Sequence, residues 1–182
     1  MLHRHVVLTG RAGAGKSTLG LALAGALGTA LLSKDKLKEA LHESLPAADG
    51  NASLQLGAAA MHVLYRVAGD SGSGLVLEAN WHLDTDLVRL SGLPLPLLQI
   101  HCDVPPDVAR RRVLARVETG MRHPVHRDAF DPQVLRLVVE SVADPCPPVP
   151  LGVPVLVVDT SDPVDTRPVV DWVNAHDQLG AP

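Results

Sequence analysis

A glycine-rich turn near the start of the chain carries the residues best suited to chemistry. Residues 6–9 form a short apolar run that ends at Gly10, and the sequence then reads RAGAGKST. This turn matches the pattern G-x-x-x-x-G-K-[ST] in full, with a strand pattern before it and a helical pattern after it. Glycines let successive backbone N–H groups point at phosphate oxygens, and the helix adds the positive end of its dipole. The turn therefore predicts a site for the phosphates of a nucleotide.

The side chains of the turn have distinct expected roles around a nucleoside triphosphate. Lys16 is expected to reach the β- and γ-phosphates, Ser17 to ligate Mg²⁺ and Thr18 to lie beside the α-phosphate. The other predicted contacts of the turn are Gly10, Ala12, Gly13, Ala14 and Gly15. No N-K-x-D motif for guanine is present, although the pattern alone leaves the choice between ATP and GTP open.

A carboxylate and several lysines follow the second predicted strand. In LLSKDKLKEAL, residues 31–41, Asp35 stands at a helix start just beyond a strand end. A carboxylate there could accept the proton of a hydroxyl held opposite the γ-phosphate, which is the general-base role in phosphoryl transfer. Asp35 could equally be only an N-cap. Lys34, Lys36 and Lys38 could form a solvated face or bind an anionic acceptor.

An arginine-rich segment favours the catalytic interpretation of Asp35. In DVARRRVLARVETGMRHPVHRD, residues 107–128, Arg112 and Arg116 lie four apart and so share one helix face. Arginines directed at one point can neutralise charge on a transferring phosphoryl group. Gly120 and the polar residues after it predict a mobile cover that excludes water. The alternative is a basic, solvated helix.

The acceptor pocket is predicted from polar residues on other segments. The helix expected over 53–68 carries His62 and Arg66, and Asn80 follows a buried strand. Trp81 and His82 could join the same pocket. The predicted substrate contacts are Asp35, Lys38, Arg66, Asn80 and His126.

Two further possibilities concern metal ions. Glu78, at the end of the third strand, could support Mg²⁺ indirectly, as could Asp35, or it could compete with Asp35 as the base. His123 and His126 lie close in sequence in the predicted lid, but no third ligand is evident for a metal site between them.

Strand-length apolar segments alternate with helical patterns along the chain, which predicts an α/β fold with a parallel sheet covered on both faces. Strands are expected at 5–9, 30–32, 74–79, 97–102 and 155–158. Helices are expected at 16–27, 35–45, 53–68, 84–90, 105–117 and 131–142, with a last helix beginning at 161–163. The 182 residues suit one domain, and ligands of such sheets bind at the carboxyl ends of the strands.

Composition excludes several classes of protein. The net charge of −4 argues against a general nucleic-acid binder, which would usually be basic. Cys102 and Cys146 show no CxxC or Cys/His spacing, so a zinc site or a disulfide framework is not expected. No apolar run has membrane-spanning length, and the first strand leaves no room for a signal peptide. We expect a cytoplasmic protein.

These segments together resemble the small P-loop kinases. That group includes polynucleotide 5′-kinase domains, chloramphenicol phosphotransferase, gluconate kinase and the bacterial "predicted kinases". The last class is the most similar because of RHPVH at 122–126 and VDTSDP at 158–163, and the resemblance covers nearly the whole chain. It implies a three-layer fold with a five-stranded parallel sheet in the order 2-3-1-4-5, a small helical lid around 117–129 and Mg-ATP as donor.

The resemblance also implies roles for single residues. Asp35 takes the general-base position, Arg112 and Arg116 match lid arginines that contact the donor phosphates, and Asn80 matches a substrate contact. Residues 159–161, with Thr160 at their centre, would lie near the adenine.

Two residues depart from that pattern. Lys38 stands where polynucleotide kinases carry an arginine for substrate phosphate, which weakens any prediction that a nucleic-acid phosphate is bound there. Glu78 stands where many relatives have Asp.

The sequence therefore predicts an ATP-dependent kinase that phosphorylates a hydroxyl of a small molecule. A nucleic-acid 5′-hydroxyl kinase is one alternative, although the chain has few aromatic residues for base stacking. A nucleotide-binding switch without an acceptor is the other. The identity of the acceptor and the oligomeric state are left open.

Overall fold

A single parallel sheet organises the chain in the computed structural model, which describes residues 2–46 and 49–178. Its five strands lie in the order β2-β3-β1-β4-β5, and every neighbouring pair is parallel. The strands are β1 (His5–Thr9), β2 (Leu31–Ser33), β3 (Val76–Glu78), β4 (Leu97–Asp103) and β5 (Val155–Asp159). The predicted fold class and strand order are confirmed.

Helices connect the strands and cover both faces of the sheet. Seven α-helices lie within the described ranges: α1 (Lys16–Leu27), α2 (Lys34–Ser44), α3 (Gly50–Asp70), α4 (Leu83–Ser91), α5 (Pro106–Glu118), α6 (Pro132–Ser141) and α7 (Arg167–Gln178). A short 3₁₀ helix, Arg127–Ala129, lies in the connection between α5 and α6.

The central strand β1 shows why the sheet needs two covering layers. Successive side chains of a strand point to opposite faces. Val6 and Leu8 accordingly belong to a core cluster with residues of α1, α5 and α7, whereas Val7 packs on the other face with residues of α3 and α4. All three are fully buried. An uninterrupted apolar run is the sequence pattern that this two-sided burial requires.

Most helix starts lie within one residue of prediction, but α3 begins at Gly50 rather than at residue 53, and the last helix also differs. The last helix begins at Arg167, because residues 160–166 form a loop that follows the end of β5. Helix α4 begins at Leu83, one residue before the predicted start, and its N-cap is His82. The carboxylate of Asp86 accepts a hydrogen bond from the His82 N–H, and this bond closes the first turn of α4.

No helix in the described part of the chain is both long enough and apolar enough to cross a membrane.

Candidate active site

The glycine-rich turn after β1 has a backbone that only glycine fits well. Gly10 and Gly13 have φ of 131° and 78°, in the region that L side chains rarely adopt. A Cβ on Gly10 would lie 2.4 Å from the carbonyl oxygen of Cys102, and a Cβ on Gly13 would lie 2.4 Å from that of Ala109. The turn is therefore packed against β4 and α5, and its shape depends on both glycines.

Lys16 begins α1 and lies beneath the turn. Its ammonium donates hydrogen bonds to the carbonyl oxygens of Gly10 (2.8 Å) and Arg11 (2.9 Å). Burial lowers the pKa of Lys16 from its ordinary value, partly offset by the charge of Glu78. Ser17 and Thr18 are exposed, so their hydroxyls are free to meet a ligand. A lysine and a hydroxyl at a helix N-terminus fit the phosphates and the Mg²⁺ of a nucleotide.

A cleft of about 260 Å³ lies beside this turn at the carboxyl ends of the strands. Elements far apart in sequence supply its walls: the turn, α2, the residues after β3, α5 and the connection from α5 to α6. Its polar lining comprises Lys16, Ser17, Lys34, Asp35, Lys38, Glu78, Asn80, Arg116, Arg122, His126, Arg127 and Asp128. Most of the residues predicted for donor and acceptor binding therefore meet in one place.

Asp35 faces this cleft from the first turn of α2. The N-cap of α2 is Ser33, so the interpretation of Asp35 as only an N-cap is wrong. Its carboxylate accepts hydrogen bonds from Arg122 Nη1 (3.0 Å) and Lys34 Nζ (3.3 Å). Burial raises the pKa of Asp35, but the charges of Lys34, of His126 in its protonated form at low pH, and of Arg122 outweigh burial and hold the pKa well below its ordinary range. Asp35 is therefore a carboxylate at neutral pH.

Arg122 is the main site residue that the sequence did not single out. Its guanidinium donates both to Asp35 and, through Nε at 3.1 Å, to Asp128. It thereby joins the connection between α5 and α6 to the start of α2. The RHPVH segment marked this arginine as part of a lid, but nothing in the local pattern showed that it would contact Asp35.

The two predicted arginines of α5 have different surroundings. Arg112 donates to the carbonyl oxygens of Thr160 (2.8 Å) and Ser161 (2.7 Å), which fastens α5 to the end of β5. Arg116 borders the cleft, and within the described residues its guanidinium has no hydrogen-bond or salt-bridge partner. Arg116 is thus the better placed of the two to bind a phosphate.

Lys38 lies one turn after Asp35 on α2 and is only 5% exposed. Its ammonium donates to the Ser53 hydroxyl (2.8 Å), which in turn donates to the carbonyl oxygen of Val125 (2.6 Å). This chain of bonds links α2, α3 and the connection after α5. Burial and, next, the charge of Lys34 lower the pKa of Lys38 to about 8, although the charge of Asp35 opposes this.

Glu78 and Asn80 reach the cleft from the end of β3. Glu78 is buried and accepts a hydrogen bond from the Ser33 hydroxyl. Asn80 is exposed. The structure thus brings Glu78 into the same cleft as Ser17 and Asp35, where a carboxylate could support a bound Mg²⁺.

His126 is buried against α2, and its Nε2 lies 3.1 Å from a carboxylate oxygen of Glu39. Burial lowers the pKa of His126, only partly offset by the charge of Asp35, so the ring is neutral at neutral pH and Nε2 donates to Glu39. His123 stacks edge-on against His126. Among the described residues, no group of three or more His, Cys, Asp or Glu side chains could hold a metal ion.

Arg66 and its neighbours do not line this cleft, which corrects the predicted acceptor pocket. Arg66 is exposed and pairs with Asp70 on the surface of α3 at 2.7 Å. With His62 it borders a shallow groove beside α4 instead. Trp81 packs in the core on that side and donates from Nε1 to the carbonyl oxygen of Leu8. The helical spacing predicted which residues share a face of α3 with Arg66. It did not show that this face points away from the glycine-rich turn.

A second, more apolar cavity of about 470 Å³ adjoins the turn on the other side of Arg116. Thr160 lies in its wall and donates to the carbonyl oxygens of Ala14 (2.8 Å) and Asp103 (2.9 Å). Thr18, Arg112 and Met121 also line it. A largely apolar cavity next to a phosphate-binding turn fits a nucleotide base.

The comparisons with known proteins agree with this geometry. An AAA domain family model matches residues 6–138. A crystal structure of a "putative kinase" from Chloroflexus aurantiacus j-10-fl is 36% identical with a TM-score of 0.85, covering 97% of this chain and 99% of that one. None of the curated proteins matches the sequence significantly.

Two more distant structures share the fold. A gluconokinase from Sinorhizobium meliloti 1021 is 22% identical with a TM-score of 0.53, covering 98% of this chain and 93% of that one. A shikimate kinase from Bacteroides thetaiotaomicron is 15% identical with a TM-score of 0.55, covering 97% of each chain. At these identities the likeness concerns the fold alone. The chain belongs to the AAA domain family of P-loop proteins, and it has the fold of the small P-loop kinases.

Proposed function

We propose that the protein is an ATP-dependent kinase that transfers the γ-phosphoryl group of Mg-ATP to a hydroxyl of a small molecule. The observation that carries this proposal is that Asp35, a carboxylate at neutral pH, lines the same cleft as Lys16 and Ser17. An acceptor lying in this cleft would have a carboxylate on one side and the terminal phosphate on the other. That arrangement is what in-line transfer to a hydroxyl requires.

The turn and Lys16 would bind the triphosphate, with the base in the cavity beside Thr160. Ser17 would ligate Mg²⁺, and Glu78 would support it from the end of β3. Mg²⁺, when bound, would neutralise charge on the phosphate oxygens. Lys16 would exchange its two carbonyl partners for phosphate oxygens, which its flexible stem allows.

Asp35 would orient the acceptor hydroxyl and take its proton late in the reaction. A carboxylate with a strongly lowered pKa is a weak base, so it cannot deprotonate an alcohol before attack. The transition state of phosphoryl transfer is loose in most analyses, and it places little demand on early deprotonation. Asp35 is therefore assigned chiefly to positioning. The other carboxylate, Glu78, is buried at the end of β3, whereas the Asp35 side chain is 32% exposed, which favours Asp35 for this role.

Arg116 and Arg122 would stabilise the charge of the transferring phosphoryl group. Arg116 has no competing partner in the described chain, and Arg122 holds Asp35 from the side of the connection. Arg112 would act from further away, by fixing the turn and the base cavity to each other. We propose that residues 117–129 form the lid of a single-domain kinase, with Arg122 as the contact that closes it.

The small volume of the cleft favours a small acceptor over the 5′ end of a nucleic acid. A volume of about 260 Å³ is small even for a ligand pocket, and His126 and Val125 are buried where the lid meets α2 and α3. Among the described residues that line the cleft there is no Phe, Tyr or Trp on which a base could stack.

The substitution Asp35→Asn tests the proposal. The variant should bind ATP as the wild type does but lose transfer by about 10²- to 10⁴-fold, because a neutral amide neither takes the hydroxyl proton late in the reaction nor holds Arg122 and Lys34 around the acceptor as the carboxylate does. Transfer is measured with γ-labelled ATP and a library of hydroxylated compounds. Asp70→Asn, which breaks the exposed pair with Arg66, is the matched control and should leave transfer unchanged. ATP turnover that Asp35→Asn does not alter would instead identify a nucleotide-binding switch.

A further inference from the structure

The connection between α5 and α6 places a second carboxylate, that of Asp128, beside the arginine that contacts Asp35. We propose that Asp128 is a positioning residue that orients the guanidinium of Arg122, so that Arg122 keeps a free N–H available to the transferring phosphoryl group throughout the reaction. This inference rests on the function proposed above, because it assigns one more residue to the same site. Asp128 acts through Arg122 and not through contact with either substrate.

The first observation is that Arg122 is the one partner of Asp128 in the described chain. Both carboxylate oxygens of Asp128 accept from Arg122 Nε at 3.1 Å, and no other described residue donates to this carboxylate. The Asp128 side chain is 12% exposed, although it borders the cleft. A charge removed from water is costly unless it is paired, so Asp128 and Arg122 depend on each other more than exposed ion pairs do.

The second observation is how the N–H groups of Arg122 are divided. A guanidinium is planar and carries five N–H donors in a fixed fork, so contacts through two of its nitrogens fix its plane. Asp128 accepts from Nε, and Asp35 accepts from Nη1 at 3.0 Å. Within the described residues Nη2 has no acceptor, and Arg122 lines the cleft beside the glycine-rich turn. The guanidinium is thus held through two nitrogens and keeps the third for a phosphoryl oxygen.

The third observation is that the backbone brings Arg122 next to another cation, Arg116. Helix α5 ends in a turn at Gly120, whose φ is 68°, and the Arg122 N–H donates to the carbonyl oxygen of Arg116 at 3.0 Å. Burial and, next, the charge of Arg122 lower the pKa of Arg116, so the two cations repel each other. Burial also lowers the pKa of Arg122, but the charges of Asp35 and Asp128 outweigh burial and raise it. The two carboxylates therefore hold Arg122 in place against this repulsion.

Asp128 is better suited than Asp35 to hold Arg122 while the reaction proceeds. Asp128 lies two residues after His126, which is buried and bonded to Glu39 of α2. Asp35 has a second task, because it receives the acceptor hydroxyl, and its contact with Arg122 can then lengthen. The contact between Asp128 and Arg122 does not have to change at that step, so it keeps the guanidinium oriented.

An arginine that is already oriented stabilises charge in the transition state without a further cost of ordering. ADP has no γ-phosphate, so its binding does not use Arg122. Loss of Asp128 should therefore weaken the stabilisation of the transferring phosphoryl group and leave the binding of ADP unchanged. A merely structural role of Asp128 would weaken both.

Aluminium fluoride provides the test, because with Mg-ADP it mimics the transferring phosphoryl group and requires no identified acceptor. The dissociation constant of labelled ADP is measured on the full-length protein with Mg²⁺, in the presence and absence of aluminium fluoride. We expect aluminium fluoride to tighten the binding of ADP to the wild type by about 10²-fold or more. Asp128→Ala should reduce this enhancement by about 10-fold and leave the binding of Mg-ADP alone unchanged.

Further variants show whether the effect passes through Arg122. Arg122→Met should lose at least as much of the enhancement, and the double variant with Asp128→Ala should lose no more than Arg122→Met alone. Asp128→Asn keeps one oxygen for Nε, so it should recover part of the loss, and it replaces Asp128→Ala in the comparison if that variant does not fold. Asp70→Ala breaks an exposed pair with Arg66 on α3 and should behave as the wild type.

The outcomes separate this inference from the proposed function. An enhancement that Asp128→Ala retains, or losses that multiply in the double variant, would overturn the role of Asp128 and leave the kinase function in place. If the wild type binds Mg-ADP but aluminium fluoride does not tighten that binding, the proposed function is rejected, and this inference is rejected with it.

Discussion

The unpaired ammonium of Lys38 makes an unusual prediction: removing it should stabilise the protein. The side chain is 5% exposed, and its pKa is about 8 against an ordinary value of 10.5. Each pKa unit corresponds to about 1.4 kcal/mol, so the charge destabilises the folded state by up to about 3 kcal/mol. Water in the adjacent cleft reduces this figure, and the lost bond to Ser53 costs about 1 kcal/mol. We expect Lys38→Met to be more stable by about 1–2 kcal/mol near neutral pH, or about 2–8 °C in Tm.

The extra stability expected for Lys38→Met should depend on pH, because it arises from the charge of one lysine. Below the folded pKa of about 8 the lysine is protonated in both states, and the penalty is fully present. Between about 8 and 10.5 the unfolded chain binds more protons than the folded one, so wild-type stability rises relative to the variant. The advantage of Lys38→Met should therefore shrink as the pH rises through this window.

Urea unfolding at a series of pH values, with Lys36→Met as the surface control, measures both effects. The wild type and Lys38→Met differ in one titrating group, so the difference between their stabilities isolates Lys38, and Lys36→Met shows the effect of losing an exposed lysine. A Lys38→Met protein that is less stable than the wild type near neutral pH would refute the reasoning. So would a difference that stays constant up to pH values near the ordinary pKa.

Two further predictions concern the turn and the lid contact. Gly13→Ala places a Cβ 2.4 Å from the Ala109 carbonyl at a φ of 78°, so it should destabilise the fold by about 1–3 kcal/mol and lower ATP affinity, measured by calorimetry. Gly25→Ala, in open space on α1, should instead stabilise by about 0.5–1 kcal/mol, and equal effects of the two substitutions would contradict the packing argument. Arg122→Met removes a cation beside Asp35 and so should raise the pKa of that carboxyl. The acid limb of the pH–rate profile should move to higher pH, and an unmoved limb would show that Asp35 does not control it.

The sequence by itself determined the features that depend only on residues close to one another along the chain. The glycine-rich turn, Lys16 and Ser17 are contiguous, so their relation to a phosphate follows from local backbone geometry. The alternation of apolar strands with amphipathic helices determined the parallel sheet, because only a sheet covered on both faces buries such strands. The segment around Asp35 was identified for the same reason, as a carboxylate at a strand-to-helix junction.

The tertiary structure alone decided which side chains meet across the cleft. Arg122 and Asp35 are 87 positions apart, and no local pattern encodes their contact. The same holds for Lys38, whose surroundings depend on where α3 and the connection between α5 and α6 pack. It also holds for Arg66, whose helix face points away from the glycine-rich turn. Helical and strand periodicity specify faces, but the direction in which a face points is set by the packing of whole elements. That packing is a property of the assembled core rather than of any single segment.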